Sequence, residues 1–201
     1  KTIPPGGIVY IGESGLNITK CMGTNTTLAW FAAGAPESSG TPDRTIDVAG
    51  EEHAFDISPA GFTGCTGTWY SWTAGSTLGS APAAFRVQDP AIDILVTDLM
   101  TGTDADGRTI PRGDEIGFRL TSNITTLSER GLSAIPVSIV VRGPDGRTFA
   151  SLVNRSGTVT PLEMSLPGTE YTTDPIWNTE NSLYPAGRYN ITARYRLNRM
   201  S

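Results

Sequence analysis

The chain has 201 residues, of which 17% are charged, with 20 acidic against 15 basic side chains and a formal net charge of -5. Its length divides most naturally into two domains of about 100 residues, and the 38% apolar fraction supports packed cores, which excludes wholesale disorder. An acidic balance without a basic block excludes nucleic acid as a main partner; no apolar stretch approaches the ~20 residues of a bilayer span, so a soluble segment without a membrane span is expected.

The 23 glycines and 14 prolines punctuate a chain rich in Thr and Ser, which favours strands and turns over helices. Period-two alternation recurs, and no 3.6-residue period runs beyond two turns. Residues 7–11 and 16–19 flank Gly12-Glu13-Ser14-Gly15, which reads as a hairpin-like turn. A strand follows at 28–32, a loop at 35–42, and strands at 45–48 and 53–57 around Ala49-Gly50-Glu51-Glu52. Residues 67–73 form an aromatic strand, 84–88 close the first half, and Asp89-Pro90 is the expected junction. Beyond it, 92–98 is a strand with Ile92, Ile94 and Val96 on one face. Asp104-Ala105-Asp106-Gly107 is a turn, and 115–121 brings Ile116, Phe118 and Leu120 together. Residues 137–142 and 147–153 flank Gly143-Pro144-Asp145-Gly146, a strong hairpin signal. Residues 158–166 form a further strand region, and Trp177 falls in a loop. The last and clearest strand is 188–197, with Tyr189, Ile191, Ala193, Tyr195 and Leu197 on a core face and Asn190, Thr192, Arg194 and Arg196 on a solvent face. The pattern predicts an all-β fold of two tandem immunoglobulin-like antiparallel β-sandwich domains, 1–88 and 89–201.

Cys21 and Cys65 form no CxxC, and the single His53 cannot complete a zinc site with them. The expectation is a Cys21–Cys65 disulfide, closing a loop of about 45 residues and worth roughly 3–4 kcal/mol in the chain-entropy model; the alternative is two unrelated buried thiols. Asn17, Asn25, Asn123, Asn154 and Asn190 all open N-x-[ST] sequons, and Asn17, Asn123 and Asn190 fall on predicted solvent faces. Disulfide and sequons together predict an extracellular location. No signal peptide is visible, and Lys1-Thr2-Ile3-Pro4-Pro5 reads as a mature N-terminus left by cleavage or as an artificial start.

At this point a family likeness is carried by residues 3–16 (IPPGGIVYIGESGL), Ala29-Trp30-Phe31, Gly67-Thr68-Trp69-Tyr70 and 184–193 (YPAGRYNITA). They resemble secreted surface proteins of methanogenic archaea that carry an N-terminal domain of unknown function. The resemblance implies a cell-envelope or S-layer glycoprotein, often anchored by a C-terminal segment, with no defined reaction and no catalytic residues to carry over.

Several constellations bear weighing. Asp104, Asp106 and Glu115 stand at positions 1, 3 and 12 of a loop resembling a calcium-binding one, but Arg108, Thr109 and Pro111 break that pattern. An EF-hand is rejected, leaving a looser calcium site of oxygen ligands against a plain polar turn. Trp69 and Trp72 have opposite strand parity, so one is expected in the core and the other is a candidate for stacking on sugar, with Tyr70 between them. His53 beside Glu51 and Glu52 has no partnered nucleophile, and Asp114-Glu115 point to opposite faces and cannot flank one glycosidic bond. No catalytic residue and no cofactor is expected. Arg188, Arg194, Arg196 and Arg199 make a basic stripe, either an ordinary solvated face or a contact for a neighbouring copy. The leading expectation is therefore a structural envelope glycoprotein that self-associates into an array through exposed edge strands, with envelope glycans or other surface proteins as further partners. The alternative is an adhesin or carbohydrate-binding module using exposed aromatics.

Overall fold

The computed structural model describes residues 1–124, 126, 130 and 134–196. The chain is all-β with sandwich-like layering, and its described residues fall into two compact units, Lys1–Pro90 and Ala91–Arg196.

The first unit carries β1 (Gly7–Tyr10), α1 (Thr19–Met22), β2 (Thr27–Trp30), β3 (Arg44–Asp47), α2 (Pro59–Phe62), β4 (Gly67–Trp72) and β5 (Ala83–Gln88). Its strands make one five-stranded sheet in the order β1-β5-β4-β2-β3. Alternation decides which side chains meet on each face. Val9, Leu28, Trp69 and Phe85 are fully buried on one face, against Leu16, Ile18, Met22, Ile57 and Phe62 from the two single-turn helices and the irregular chain around them. On the other face Ala29, Phe31 and Trp72 form a smaller cluster with Tyr70 and Leu78. Each large side chain fully buried in this way contributes about 1.5–3 kcal/mol of hydrophobic stabilisation. Helix α2 starts where Ser58 Oγ accepts the Gly61 N–H at 3.2 Å and Pro59 supplies a preset first-turn φ.

Three local expectations change here. Strand β1 does not turn back into 16–19; it runs parallel to β5, Gly7 opposite Phe85 and Tyr10 opposite Gln88. Residues 16–19 and 53–57 are not strands but touch through the single bridge Leu16–Phe55. Leu16 and Ile18 are at 0% and Cys21 and Met22 are drawn inward immediately after them in α1, so this stretch serves the core as a packed layer over the sheet rather than as half of a ribbon.

The second unit carries β6 (Ile92–Asp98), β7 (Thr103–Asp104), β8 (Glu115–Ser122), β9 (Ile135–Arg142), β10 (Thr148–Phe149), β11 (Ser151–Val153), β12 (Val159–Pro161), β13 (Glu163–Leu166), β14 (Glu170–Thr172), β15 (Trp177–Asn178) and β16 (Asn190–Tyr195). One sheet runs β14-β8-β6-β7 with β15 also on β8; another centres on β9, flanked by β10, β13 and β16; β11 and β12 pair separately. All these pairings are antiparallel. Ile116, Phe118 and Leu120 of β8 and Ile135, Val137, Ile139 and Val141 of β9 are buried at alternate positions, as a sandwich interior requires. The expected hairpin at 143–146 forms: the Gly143 N–H donates to Arg147 O at 2.8 Å, Asp145 Oδ1 accepts the Arg147 N–H at 3.0 Å, and Gly146 takes the positive φ of 80° that the tight turn needs. Trp177 lies not in a loop but in β15, opposite Ile116. Strand β16 alternates as read, with Asn190, Thr192 and Arg194 exposed and Tyr195 buried; Leu197 and Arg199 lie outside the described residues.

Candidate functional site

The cysteines correct an expectation. Cys21 and Cys65 are both buried but carry free thiols, and no Cys21–Cys65 disulfide is formed. Each sulfur is used locally: Cys21 Sγ donates to Ile3 O at 3.2 Å, and Cys65 Sγ accepts from Arg44 Nη1 at 3.7 Å. Burial pushes the Cys21 thiol up to about 11, so it is protonated and unreactive at neutral pH. Both residues belong to the main core of the first unit, where they pack as small hydrophobes.

Nor do the acidic positions converge. Among the described residues no three His, Cys, Asp or Glu side chains come together, and Asp104, Asp106 and Glu115 are held in separate roles. Asp104 Oδ1 accepts the Asp106 N–H at 2.8 Å, closing its own turn, and Glu115 Oε1 accepts the Arg155 N–H at 3.1 Å from another loop. His53 is exposed in the turn beyond Gly50.

Two buried carboxylates escaped the sequence reading. Asp98, 3% exposed at the end of β6, accepts from the Thr101 hydroxyl at 2.7 Å and from the Met100 N–H at 2.9 Å. The Thr101 hydroxyl, followed by the two backbone donors of that turn, holds the Asp98 carboxyl below its ordinary value against the opposing effect of burial. Glu13, also 3% exposed, accepts the Tyr10 N–H at 2.8 Å. It lines an open depression of about 230 Å³ together with Ser14, Asp56 and Ser58. Asp56 Oδ1 accepts the Gly15 N–H at 2.9 Å, and Ser58 caps α2, so the polar groups of this depression shape the loops that form it. The sequence signal was Gly-Glu-Ser-Gly, which marks a turn but not which of its side chains is turned inward.

Tryptophans 69 and 72 are both buried, at 0% and 8%. Trp69 Nε1 donates to Cys65 O at 2.9 Å and its ring lies 4.7 Å from Phe62, while Trp72 lies 5.3 Å from Phe31. Ordinary alternation along β4 places Tyr70, half-buried, on the same face and in the same cluster as Trp72, opposite Ala29 of β2. In the second unit Phe149, Trp177, Tyr184 and Tyr189 form one aromatic group, with Trp177 centred 4.9 Å from Tyr189 and 5.5 Å from Tyr184.

The sequons separate by environment. Asn25 Nδ2 donates to the buried Ser71 Oγ at 3.0 Å while its Oδ1 accepts from the Thr73 hydroxyl at 2.8 Å. Asn154 Nδ2 donates to Pro175 O at 3.2 Å, and its Oδ1 accepts from the Ser156 hydroxyl and the Thr158 N–H. Asn17, half-buried, accepts from the Thr19 N–H and hydroxyl. Asn123, half-buried, accepts the Ala91 N–H at 2.8 Å. Asn190 is exposed on β16. Arg188, Arg194 and Arg196 are likewise exposed, and Arg196 is ion-paired with Glu163 of the same unit.

A family model described as a domain of unknown function, DUF3821, matches residues 5–201, and the chain belongs to that family. No curated protein matches it. Among the described residues no helix is long and apolar enough to cross a membrane.

Proposed function

We propose that this member of the DUF3821 family is a structural, extracellular glycoprotein of an archaeal cell envelope, which associates laterally with copies of itself in an S-layer-type coat. The observation that carries the reading is where the aromatic side chains go. Of the sixteen Phe, Trp and Tyr residues, all described, none is exposed; each is buried or half-buried. Large rings so placed rigidify two strand-built units and leave no exposed aromatic ring on their described surfaces. A sugar-stacking adhesin would need two or more exposed rings on one face, so the same observation speaks against that alternative. Persistence in such a coat would rest on packing and backbone pairing rather than on a covalent cross-link.

Open strand edges offer the means of association. Among the described residues β3 pairs on one side only, with β2, and β16 pairs only with β9. The test is electron microscopy of the purified protein together with labelling of intact cells of the source organism by an antibody to the chain. Ordered arrays and surface labelling are expected. A monomer at high concentration, with label confined to the cell interior, would refute the reading; glycan binding without assembly would favour the adhesin.

A further inference from the structure

We propose that Asn190 is the principal N-glycan acceptor of the folded chain, an inference that rests on the glycoprotein reading above and sharpens it to one position. Glycosyl transfer to an asparagine requires the amide nitrogen to approach the anomeric carbon of a polyprenyl-phosphate-linked oligosaccharide. The C1–O bond to the lipid phosphate breaks, and the phosphate leaves with the electron pair. The Nδ2–C1 bond forms, and one amide proton passes to a base. The transferase that catalyses this must reach the amide and the hydroxyl two residues on, and the product must leave room for the sugar beside Nδ2.

Strand geometry meets both demands at residue 190. Residues i and i+2 of a strand project from the same face, and Asn190 and Thr192 are both exposed on β16. The side chain of Asn190 makes no hydrogen bond among the described residues, and the chain leading into it, residues 185–188, is exposed throughout. That approach is fixed by Gly187: at φ 149° its backbone lies so near Pro144 that an added Cβ would stand 2.6 Å from Pro144 Cβ. The acceptor is therefore presented on a defined loop-to-strand entry.

The other four sequons are spent on the fold. Asn25 Nδ2 already donates to Ser71, which is 2% exposed, and Asn154 Nδ2 to Pro175 O, so a sugar on either would have to stand on the one remaining N–H, beside a part-buried contact. Asn17 sits between Leu16 and Ile18, both at 0%, with the hydroxyl of its own sequon, Thr19, already bonded to it at 2.7 Å. Asn123 holds the start of the second unit through Ala91, next to Ile124 at 1% exposure; Thr125 lies outside the described residues.

The experiment is glycopeptide mass spectrometry of the chain purified from its own organism's envelope, covering all five sequon peptides, with the Asn190→Gln variant expressed in the same host. The expected result is a glycan on the Asn190 peptide at higher occupancy than on any other, and loss of most of the carbohydrate mass in the variant. A glycan on Asn25, Asn154, Asn17 or Asn123 at equal or greater occupancy would overturn the assignment, because transfer would then precede folding and ignore the folded geometry. Five unmodified peptides would instead overturn the glycoprotein reading itself, and the assignment with it.

Discussion

Replacing Tyr195 by Phe tests whether the two main sheets of the second unit are tied together by a polar chain at one end. The Tyr195 hydroxyl donates to Ala91 O, and its oxygen lies 2.7 Å from Ser122 Oγ. A phenol has one proton, so the Ser122 hydroxyl must donate to Tyr195, while Ser122 Oγ itself accepts the Ile124 N–H at 3.1 Å. The result is a directed relay from Ile124 through Ser122 and Tyr195 to Ala91, joining the end of β8, the end of β16 and the entry to β6. In Tyr195→Phe the Ala91 carbonyl keeps the Asn123 N–H, at 3.1 Å. The Ser122 hydroxyl, at 6% exposure, loses its acceptor. One net hydrogen bond at about 1 kcal/mol plus one buried donor left unpaired at about 1–2 kcal/mol gives about 2–3 kcal/mol. For a unit of this size that is a fall in melting temperature of about 8–20 °C. Calorimetry of the single variants and of the double variant Ser122→Ala/Tyr195→Phe provides the assay. Removing Ser122 as well abolishes the stranded donor, so the double variant should be more stable than the sum of the single losses predicts. A Tyr195→Phe protein within about 0.3 kcal/mol of the parent, or strict additivity in the cycle, would refute the relay.

Three further outcomes follow from the same geometry. Asp98 has a folded-state pKa lowered below 3.8, so its contribution is fully present above that pH and is lost as the pH falls through the folded value; the urea midpoint of Asp98→Asn should lie below that of the parent at pH 7 and converge with it in strong acid, whereas a constant gap across the pH range would contradict this. Non-reducing peptide mapping should recover Cys21 and Cys65 in separate peptides, with Cys21 resisting iodoacetamide until the chain unfolds; a linked pair would show that the free-thiol core is not the state in solution. Val48 N–H donates to Thr26 O and the β2–β3 register places Ile46 opposite Leu28, so the amide of Thr45 faces the open edge; Thr45→Pro should leave the fold standing and suppress assembly, and undiminished arrays would show that copies do not meet along β3.

Strand β16 and the 143–146 hairpin were legible because their signals are local: alternation over six residues in one, a turn whose glycine needs positive φ in the other. The parallel pairing of β1 was not, since alternation reports which face is buried and says nothing of strand direction or of a partner near residue 85. Leu16 and Ile18 alternate with Asn17 as a strand would, yet the packing of the first unit uses them as irregular filler. Opposite parity for Trp69 and Trp72 suggested one exposed ring; the two do lie on opposite faces, but apolar clusters cover the sheet on both faces and bury both. The cysteine pair suggested a bond by number alone, while the positions satisfy each sulfur with a different local partner. The sequons were found by pattern, but their ranking needed the far ends of the hydrogen bonds, Ser71 and Pro175, which lie 46 and 21 residues from the asparagines they engage.

The two proposals about β16 and β3 are compatible because a strand presents two independent surfaces. Side chains stand roughly perpendicular to the sheet, whereas unpaired backbone groups lie in its plane. A glycan on Asn190 would therefore rise from a sheet face, alongside Thr192 and Arg194, and leave in-plane edges free for another chain. Charge on that face is also partly settled within the molecule, where Arg196 pairs with Glu163 across β9; on the other sheet Arg119 pairs with Glu170 at 2.6 Å. Exposed pairs of this kind contribute about 0–1 kcal/mol each and weaken with salt. The arginine stripe thus supplies little net attraction for a neighbouring copy, and association in a coat would be governed by backbone edges, whose pairing is far less sensitive to ionic strength than contacts between charged faces.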